Sequence, residues 1–197
     1  MSGGRRDGRR SETSRAAGGA DPVPRQIEPP PPNAGAGPDA GAVEFESFSW
    51  HDCHIWGLEL RVGEPEVQDW TSDLALRIDF ILEWICGIGG GGQFRVAPAE
   101  LVFHGVTDPR ISITWGDGRG QQSLHLASID RIERDLVADA KVFLDRPYYR
   151  WRILLNWPAG GEIAFGATDF TQTLLGPALL TDQQPLTRTE RSRLLEK

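Results

Sequence analysis

Leu74–Trp84 reads LALRIDFILEW, and this stretch decides the fold. Apolar residues occupy every second position, while Arg77, Asp79 and Glu83 lie among the residues between them. Successive side chains of a β-strand point to opposite faces, so the alternation predicts a long strand with one buried face. A helix would place Arg77 and Asp79 in the middle of the apolar stripe, which disfavours a helical interpretation.

The same alternation recurs before and after this stretch. It is found in Trp56–Val62, Arg110–Trp115 and Tyr149–Trp157. Another strand is predicted over Phe94–Val96, with an interruption at Pro98 that marks a bulge or an edge position, and it resumes over Leu101–His104. Turns rich in glycine or proline separate these segments, and Thr187 followed by Glu190 is a capping-box pattern typical of a helix start. The sequence therefore predicts a mainly β (β-rich α+β) fold, an antiparallel meander that curls into a sandwich or partial barrel, with a short C-terminal helix.

The composition changes sharply near residue 43. Residues 1–42 hold 8 of the 23 glycines and 7 of the 14 prolines, whereas all seven tryptophans and all eight phenylalanines follow them. A segment so poor in large apolar residues cannot offset the chain entropy lost on ordering. We therefore predict a disordered tail over 1–42, Arg/Gly-rich and then Pro/Ala/Gly-rich, followed by one antiparallel β-rich domain over 43–197.

The charge of the two parts differs in sign. The whole chain carries −7 and the first 42 residues carry +1, so the predicted domain carries −8. A domain this acidic is not expected to bind nucleic acid, and its field favours a basic protein as partner. We predict Glu59, Asp79 and Glu83 as contact residues, on the solvent-exposed faces of the first two strands. No apolar stretch approaches the ~20 residues that a membrane span needs, so the expected location is cytoplasmic.

The cysteines and tryptophans are assigned mainly structural roles. Cys53 and Cys86 are too few for a disulfide framework, and both are expected to be free and buried. Four tryptophans fall in the apolar register and are predicted in the core: Trp84, Trp115, Trp151 and Trp157. Three others are left open between packing and a groove for a ligand or peptide: Trp50, Trp56 and Trp70.

The segment WHDCH, residues 50–54, concentrates residue types that can bind a metal ion. His51, Asp52 and His54 are possible metal ligands, and His104 could approach them from another strand. Zinc needs three or four ligands in fixed geometry, and no second cluster such as CxxC or HExxH supplies the rest. A structural turn capped by Asp52 is therefore favoured. The sequence predicts no catalytic residue and no cofactor, since the glycine-rich loop at 87–92 also lacks the lysine of a phosphate-binding loop.

Three short motifs carry a family resemblance. They are His51-Asp52-x-x-Ile55, Leu74-x-Leu76-x-Ile78-Asp79 and Phe94-x-Val96-Ala97-Pro98-Ala99-x-Leu101-Val102-Phe103. Over residues 45–170 the chain resembles small bacterial β-rich domains of unknown function, some of them grouped with immunity proteins of polymorphic toxin systems. The resemblance implies a binding role. The expected function is thus a non-enzymatic, immunity-like domain that binds a basic protein, and the alternative is a small metal-dependent hydrolase using His51, Asp52 and His54.

Overall fold

The computed structural model describes residues 45–86, 92–116, 118–120, 123–140 and 146–196. The predicted tail over 1–42 and most of the glycine-rich loop lie outside these residues. The elements of the described part are β1 (His54–Val62), β2 (Ser72–Cys86), β3 (Gly92–His104), β4 (Thr107–Ser112), β5 (Ala127–Leu136), β6 (Tyr149–Trp157), β7 (Glu162–Ala167), β8 (Asp169–Leu174), β9 (Leu179–Thr181) and the helix α1 (Arg188–Leu195). The prediction of an antiparallel β fold with a short C-terminal helix is confirmed.

All nine described strands belong to one open sheet, in the order β4-β7-β6-β5-β1-β2-β3-β8, with β9 also paired to β3. Two antiparallel meanders make up this order, β1-β2-β3 and β5-β6-β7. They are joined by a short seam in which His54 pairs with Ser128 and Ile55 pairs with Ala127. The strand ladder between the two halves is therefore only two residue pairs long, and two backbone hydrogen bonds continue it, from Asp52 N–H to the Ile129 carbonyl and from Ile129 N–H to the Cys53 carbonyl.

Two corners carry the chain from one half of the sheet to the other. After β3 the chain turns at Gly105, which has φ of 63°, and continues as β4 against β7. After β7 it turns at Thr168 and returns as β8 against β3. The Thr168 backbone N–H donates to the His104 carbonyl over 3.0 Å, so the two corners are tied to each other. The sheet therefore folds over and its two halves face each other.

Aromatic side chains fill the space between the halves. Phe103 on β3 contacts Trp151 on β6 and Phe165 on β7, with ring centroids 5.0 and 4.7 Å apart. Phe45 packs edge-on against Trp151 at 5.4 Å and against Phe170 on β8 at 6.0 Å. Such edge-to-face pairs add to the free energy gained by burying the rings. We call these five residues the aromatic core.

The tryptophans divide differently from the prediction. Trp151 is buried as predicted, and Trp50 is also buried, with its indole N–H donating to Gln172 over 2.7 Å. Trp115 is half-buried. The predicted burial of Trp84 and Trp157 is wrong, since both are largely exposed. Trp157 is the last residue of β6 and lies past a register shift, so it projects beyond the core.

A β-bulge explains why Trp84 leaves the core. Leu74, Leu76, Ile78 and Phe80 are buried as the alternation predicts, but a register shift between Ile81 and Glu83 follows them. The extra residue, Leu82, has no partner on β3, and one unpaired residue reverses the face on which all later side chains lie. Leu82 and Trp84 are therefore exposed at the end of a strand whose first half is central.

A second register shift alters β1. The apolar face predicted for Trp56–Val62 is interrupted because the shift falls between Ile55 and Gly57, which removes Trp56 from the stripe. The Trp56 ring lies instead between the guanidinium groups of Arg77 and Arg191, 5.8 and 5.6 Å from its centroid. Cation–π contact thus replaces core packing at this position.

The register shift in β2 can be tested by truncating residues on either side of it. Ile78→Ala is expected to lower the free energy of unfolding by about 2–5 kcal/mol, because it empties a fully buried site. The matched change Leu82→Ala, in the bulge, should cost less than about 1 kcal/mol. Urea unfolding followed by tryptophan fluorescence measures both, and equal losses would contradict the assigned register.

Candidate functional site

The four predicted metal ligands do not come together. The exposed His51 donates from Nδ1 to the Asp130 carbonyl over 2.9 Å, and its Nε2 lies 3.7 Å from the Asp52 carboxylate. His104 contacts Asp73 near the start of β2, with Nδ1 3.2 Å from the carboxylate, whereas His54 pairs across the strands with Asp79 in the middle of β2. Asp73 and Asp79 are six residues apart, roughly 20 Å along a strand. Among the described residues no group of three or more His, Cys, Asp or Glu side chains is arranged to hold a metal ion.

Asp52 has the structural surroundings expected of a turn residue. Its φ of 61° is left-handed, and its backbone N–H donates to the Ile129 carbonyl over 2.7 Å. Its carboxylate accepts hydrogen bonds from Asn156 and, over 2.9 Å, from Gln184. The side chain therefore connects the start of β1 to β6 and to the C-terminal segment. The described hydrogen bonds of the Asp52 carboxylate come from these two side chains and not, as predicted, from nearby backbone amides.

Two of the three predicted contact acids lie on an exposed face, but each is neutralised. Glu59 accepts from Arg61 over 3.2 Å, and Glu83 accepts from Arg95 over 3.3 Å. Surface pairs of this kind contribute about 0–1 kcal/mol and leave little net field. Whether Glu59 and Glu83 contact a partner stays a prediction.

The third predicted contact acid, Asp79, is not exposed, and that prediction is wrong. Its side chain is fully buried, because the chain segment before α1 and α1 itself cover this part of the sheet. Arg191 of α1 donates from Nε and Nη2 to the two carboxylate oxygens over 2.8 and 2.9 Å. The Leu186 backbone N–H donates to the same group over 3.0 Å. Burial raises the pKa of Asp79, and the Arg191 guanidinium opposes that shift.

Asp79 thus anchors the C-terminal helix to the sheet. The helix begins with the predicted capping box, in which the Thr187 hydroxyl accepts from the Glu190 backbone N–H and the Glu190 carboxylate accepts from the Thr187 N–H. Leu186 and Leu194 add apolar contact, since both are buried. An eight-residue helix has little stability of its own, so its position depends on these tertiary contacts.

His54 lies beside this ion pair. Its Nδ1 is buried and has no hydrogen-bond partner among the described residues. Burial lowers the pKa of the imidazole, and the Asp79 carboxylate opposes the shift. The indole N–H of Trp56 is likewise buried, with no partner in the part of the chain that the structure describes. His54 is therefore held mainly neutral near pH 7, and neither a nucleophile nor a metal is positioned against it in the described part of the chain.

The two thiols differ in environment. Cys53 is fully buried, and burial raises the pKa of its thiol to about 12. Cys86 is exposed at the end of β2, so the predicted burial holds for Cys53 and is wrong for Cys86. Both are free. A nucleophilic role for Cys53 is excluded by its burial, because the reactive form is the thiolate.

Apolar side chains lie exposed along the second half of β1. Leu58 and Leu60 pair directly with the fully buried Leu76 and Leu74, and such partners share one face of a sheet. Yet Leu58 is 41% exposed, Leu60 50% and Val62 79%. No described strand continues the seam beyond its second residue pair, so the apolar face of the core reaches solvent here.

The loop after β1 follows directly from Val62 and carries further exposed apolar side chains together with negative charge. Val67 and Trp70 are exposed in it, Trp70 at 76%. Glu64, Glu66 and Asp69 lie between and beside them, and residues 63–71 contain no basic side chain. We call Leu58, Leu60, Val62, Val67 and Trp70 together the β1 edge patch. An exposed apolar surface with a polar rim is typical of a protein interaction site.

Comparison with protein-family models, with curated proteins and with solved structures found no match. No described helix is long and apolar enough to cross a membrane. The fold and the β1 edge patch therefore carry the functional argument.

The anchor at Asp79 can be tested by removing its cation. Arg191→Met should cost about 3–5 kcal/mol at pH 7, because it leaves a buried carboxylate unpaired. Without Arg191 the raised pKa of Asp79 lets the native state bind a proton that the unfolded state does not. The loss should therefore shrink as the pH falls toward 4, the ordinary pKa of the unfolded carboxyl.

The matched control for this experiment is Arg193→Met, which removes an exposed arginine from the same helix. It should change the free energy of unfolding by less than about 0.5 kcal/mol. Urea unfolding of both variants at several pH values measures the difference. A loss in Arg191→Met that did not depend on pH would contradict a buried, unpaired Asp79.

Thiol labelling tests the two cysteine environments. At pH 8 an aromatic disulfide reagent should react at once with Cys86, whereas Cys53, with a pKa of about 12, has only about one thiolate in ten thousand molecules. One thiol per native chain and two per chain in urea are expected. Cys86→Ser should abolish the fast reaction, and fast labelling of that variant would contradict the burial of Cys53.

Proposed function

We propose that this chain is a binding domain for a basic protein and that the β1 edge patch is its contact surface. The observation that carries the proposal is the exposure of Leu58, Leu60 and Val62 on the same face as the buried core of β2. Covering a large aliphatic side chain contributes about 1.5–3 kcal/mol when its burial is complete. A partner that covers these three residues would gain affinity from surface that the domain itself leaves in water.

Charge favours a basic partner at this surface. The carboxylates of Glu64 and Glu66 have no ion pair with another described residue, unlike Glu59 and Glu83. Asp69 accepts from the Thr71 backbone N–H and hydroxyl, which lowers the pKa of its carboxyl and keeps it ionised. Basic side chains at the partner's rim would meet three uncompensated carboxylates and speed association. The expected contact region thus moves from Glu59, Asp79 and Glu83 to the loop over residues 63–71.

The mode of binding follows from the strand edge. Gly57–Val62 pairs with β2 on one side, and its other edge has no strand partner in the described part of the chain. An extended peptide can add to such an edge, with backbone hydrogen bonds giving affinity and alternate side chains giving specificity. The partner segment should therefore be an extended stretch with apolar residues at every second position and lysine or arginine near its end.

The immunity-type role that the resemblance implies is compatible with this surface. A nuclease toxin has the basic charge that the patch requires, because such an enzyme must approach nucleic acid. A toxin as partner is accordingly part of this proposal. The metal-dependent hydrolase is not put forward, since His51 and Asp52 are close to each other but the described residues contain no group of three or more side chains that could hold a metal ion.

The proposal predicts a selective loss of binding. In affinity capture from the native host, the wild-type chain should retain a basic protein, and Leu60→Asp should reduce that retention at least tenfold. Leu180→Asp, a change at a similarly exposed leucine on β9, is the control and should retain the partner. Association should slow as salt rises, and it should slow further in the double variant Glu64→Lys, Glu66→Lys.

Three outcomes would contradict the proposal. They are a captured partner that is acidic, equal retention by Leu60→Asp and the wild-type chain, and a dimer of the chain itself through this edge, detected by sedimentation. Thermal melts of both leucine variants establish that any loss of binding is not a loss of folding.

A further inference from the structure

A groove of about 690 Å³ lies on the outer face of the other half of the sheet. Its floor is β7, where Ala164 and Gly166 supply almost no side chain. Its walls are long side chains of the neighbouring strands, Arg110 from β4 and Arg150 and Arg152 from β6. We call this the arginine groove. Its volume is in the range of about 300–1,000 Å³ typical of small-molecule sites.

The strand register brings the three arginines to the same face. Ala164 pairs with Arg110 on one side and with Arg152 on the other, and Gly166 pairs with Arg150. Residues paired across antiparallel strands share a face, so all three side chains rise around the same floor. The backbones of β4 and β6 are two strand spacings apart, roughly 10 Å, which leaves room for a small ligand between the walls.

Two of the three guanidinium groups are uncompensated. Neither Arg110 nor Arg150 has a side-chain hydrogen bond or ion pair with another described residue, whereas Arg152 donates to Glu162 over 2.8 Å and to Glu133 over 3.2 Å. The carboxylates fix the direction of Arg152 and leave the other two arginines free to bind. Two carboxylates, Asp108 and Glu162, line the groove with the three arginines, so its lining carries a net charge of +1 in a domain with a net charge of −8.

Tyr148 closes one end of the arginine groove. Its hydroxyl is 2.5 Å from the Thr107 hydroxyl, and the ring crosses above Gly166. A Cβ atom at Gly166 would overlap the Tyr148 hydroxyl and lie 2.8 Å from the Thr107 oxygen, so only glycine fits beneath the tyrosine. The tyrosine side chain is thereby held at the groove, which it lines together with the arginines.

We propose that the arginine groove binds a small molecule through a phosphate group. A phosphate presents oxygens in several directions and can accept from guanidinium groups on both walls, whereas a planar carboxylate matches one guanidinium at a time. A nucleic acid strand is disfavoured because Glu133 and Asp135 on β5 follow directly behind Arg152 and Arg150 in the same cross-strand rows. This site is independent of the β1 edge patch and goes beyond the proposed function.

Phosphate titration of the full-length ¹⁵N-labelled chain tests the proposal. Inorganic phosphate and glycerol 3-phosphate are the probes, and chloride is exchanged to hold the ionic strength constant. We expect saturable shifts of the Ala164 and Gly166 amide resonances with both probes. Tighter binding of glycerol 3-phosphate would identify an ester as the natural ligand, and equal binding would identify the phosphate group alone.

Variants separate this site from general anion attraction. Arg110→Gln and Arg150→Gln should each weaken phosphate binding roughly tenfold, since each removes a charge-assisted hydrogen bond. Arg95→Gln, at an exposed arginine on β3, should leave it unchanged. Ala164→Leu should abolish binding without changing any charge, because it fills the floor of the groove. Amide resonances of β1, which contains none of the substituted residues, should stay at their wild-type positions and so establish that each variant is folded.

Several results would overturn the proposal. One is a shift that rises linearly with phosphate and does not saturate. Others are equal phosphate affinity in Arg150→Gln and the wild-type chain, or equal loss in Arg95→Gln. Tighter binding of succinate than of phosphate would assign the groove to dicarboxylates instead.

Discussion

Packing between aromatic rings holds the two halves of this sheet together. The ladder between β1 and β5 has only two residue pairs, and two further backbone hydrogen bonds join Asp52 and Cys53 to Ile129, so the backbone join is short compared with the aromatic interior. Phe103 and Trp151 supply contact across the interior instead, with Phe45 and Phe170 packed around the same indole. The β1 edge patch and the arginine groove both follow from this arrangement. A short seam leaves the second half of β1 uncovered, and the fold-over turns the opposite faces of β4, β6 and β7 outward to form the arginine groove.

Much of the fold was predictable because alternation is a strong local signal. Leu74, Leu76, Ile78 and Phe80 are buried, as the alternation predicts, and the capping box at Thr187 does start a helix. The other face of the strand is buried as well at Ala75, Asp79 and Ile81, which the alternation does not predict. The signal fails at single inserted residues. Trp56 and Leu82 have ordinary strand side chains, and nothing in the sequence marks either as the extra residue of a register shift. The burial of the residues that follow Trp56 in β1 and Leu82 in β2 could therefore not be predicted.

The sites depend on contacts that are distant in sequence. Asp79 sits in a polar position of an alternating strand and was expected in water, but its partner Arg191 is 112 residues away. The arginine groove depends on distant contacts in the same way. The alternation of β6 places Arg150 and Arg152 on one polar face, whereas Arg110 of β4 joins these two arginines only because β7 lies between β4 and β6. Knowing the strand order is necessary to bring the three together.

Two exposed strand edges of this fold differ in their protection. On β4, Pro109 and a register shift next to Asp108, whose φ is 50°, break the regular row of backbone donors and acceptors. Proline and irregularity at an edge are known protections against unwanted pairing. The edge from Gly57 to Val62 follows a register shift but is regular beyond it, contains no proline and carries Leu58, Leu60 and Val62 on one face. An edge of this kind favours aggregation between copies of the chain through β1.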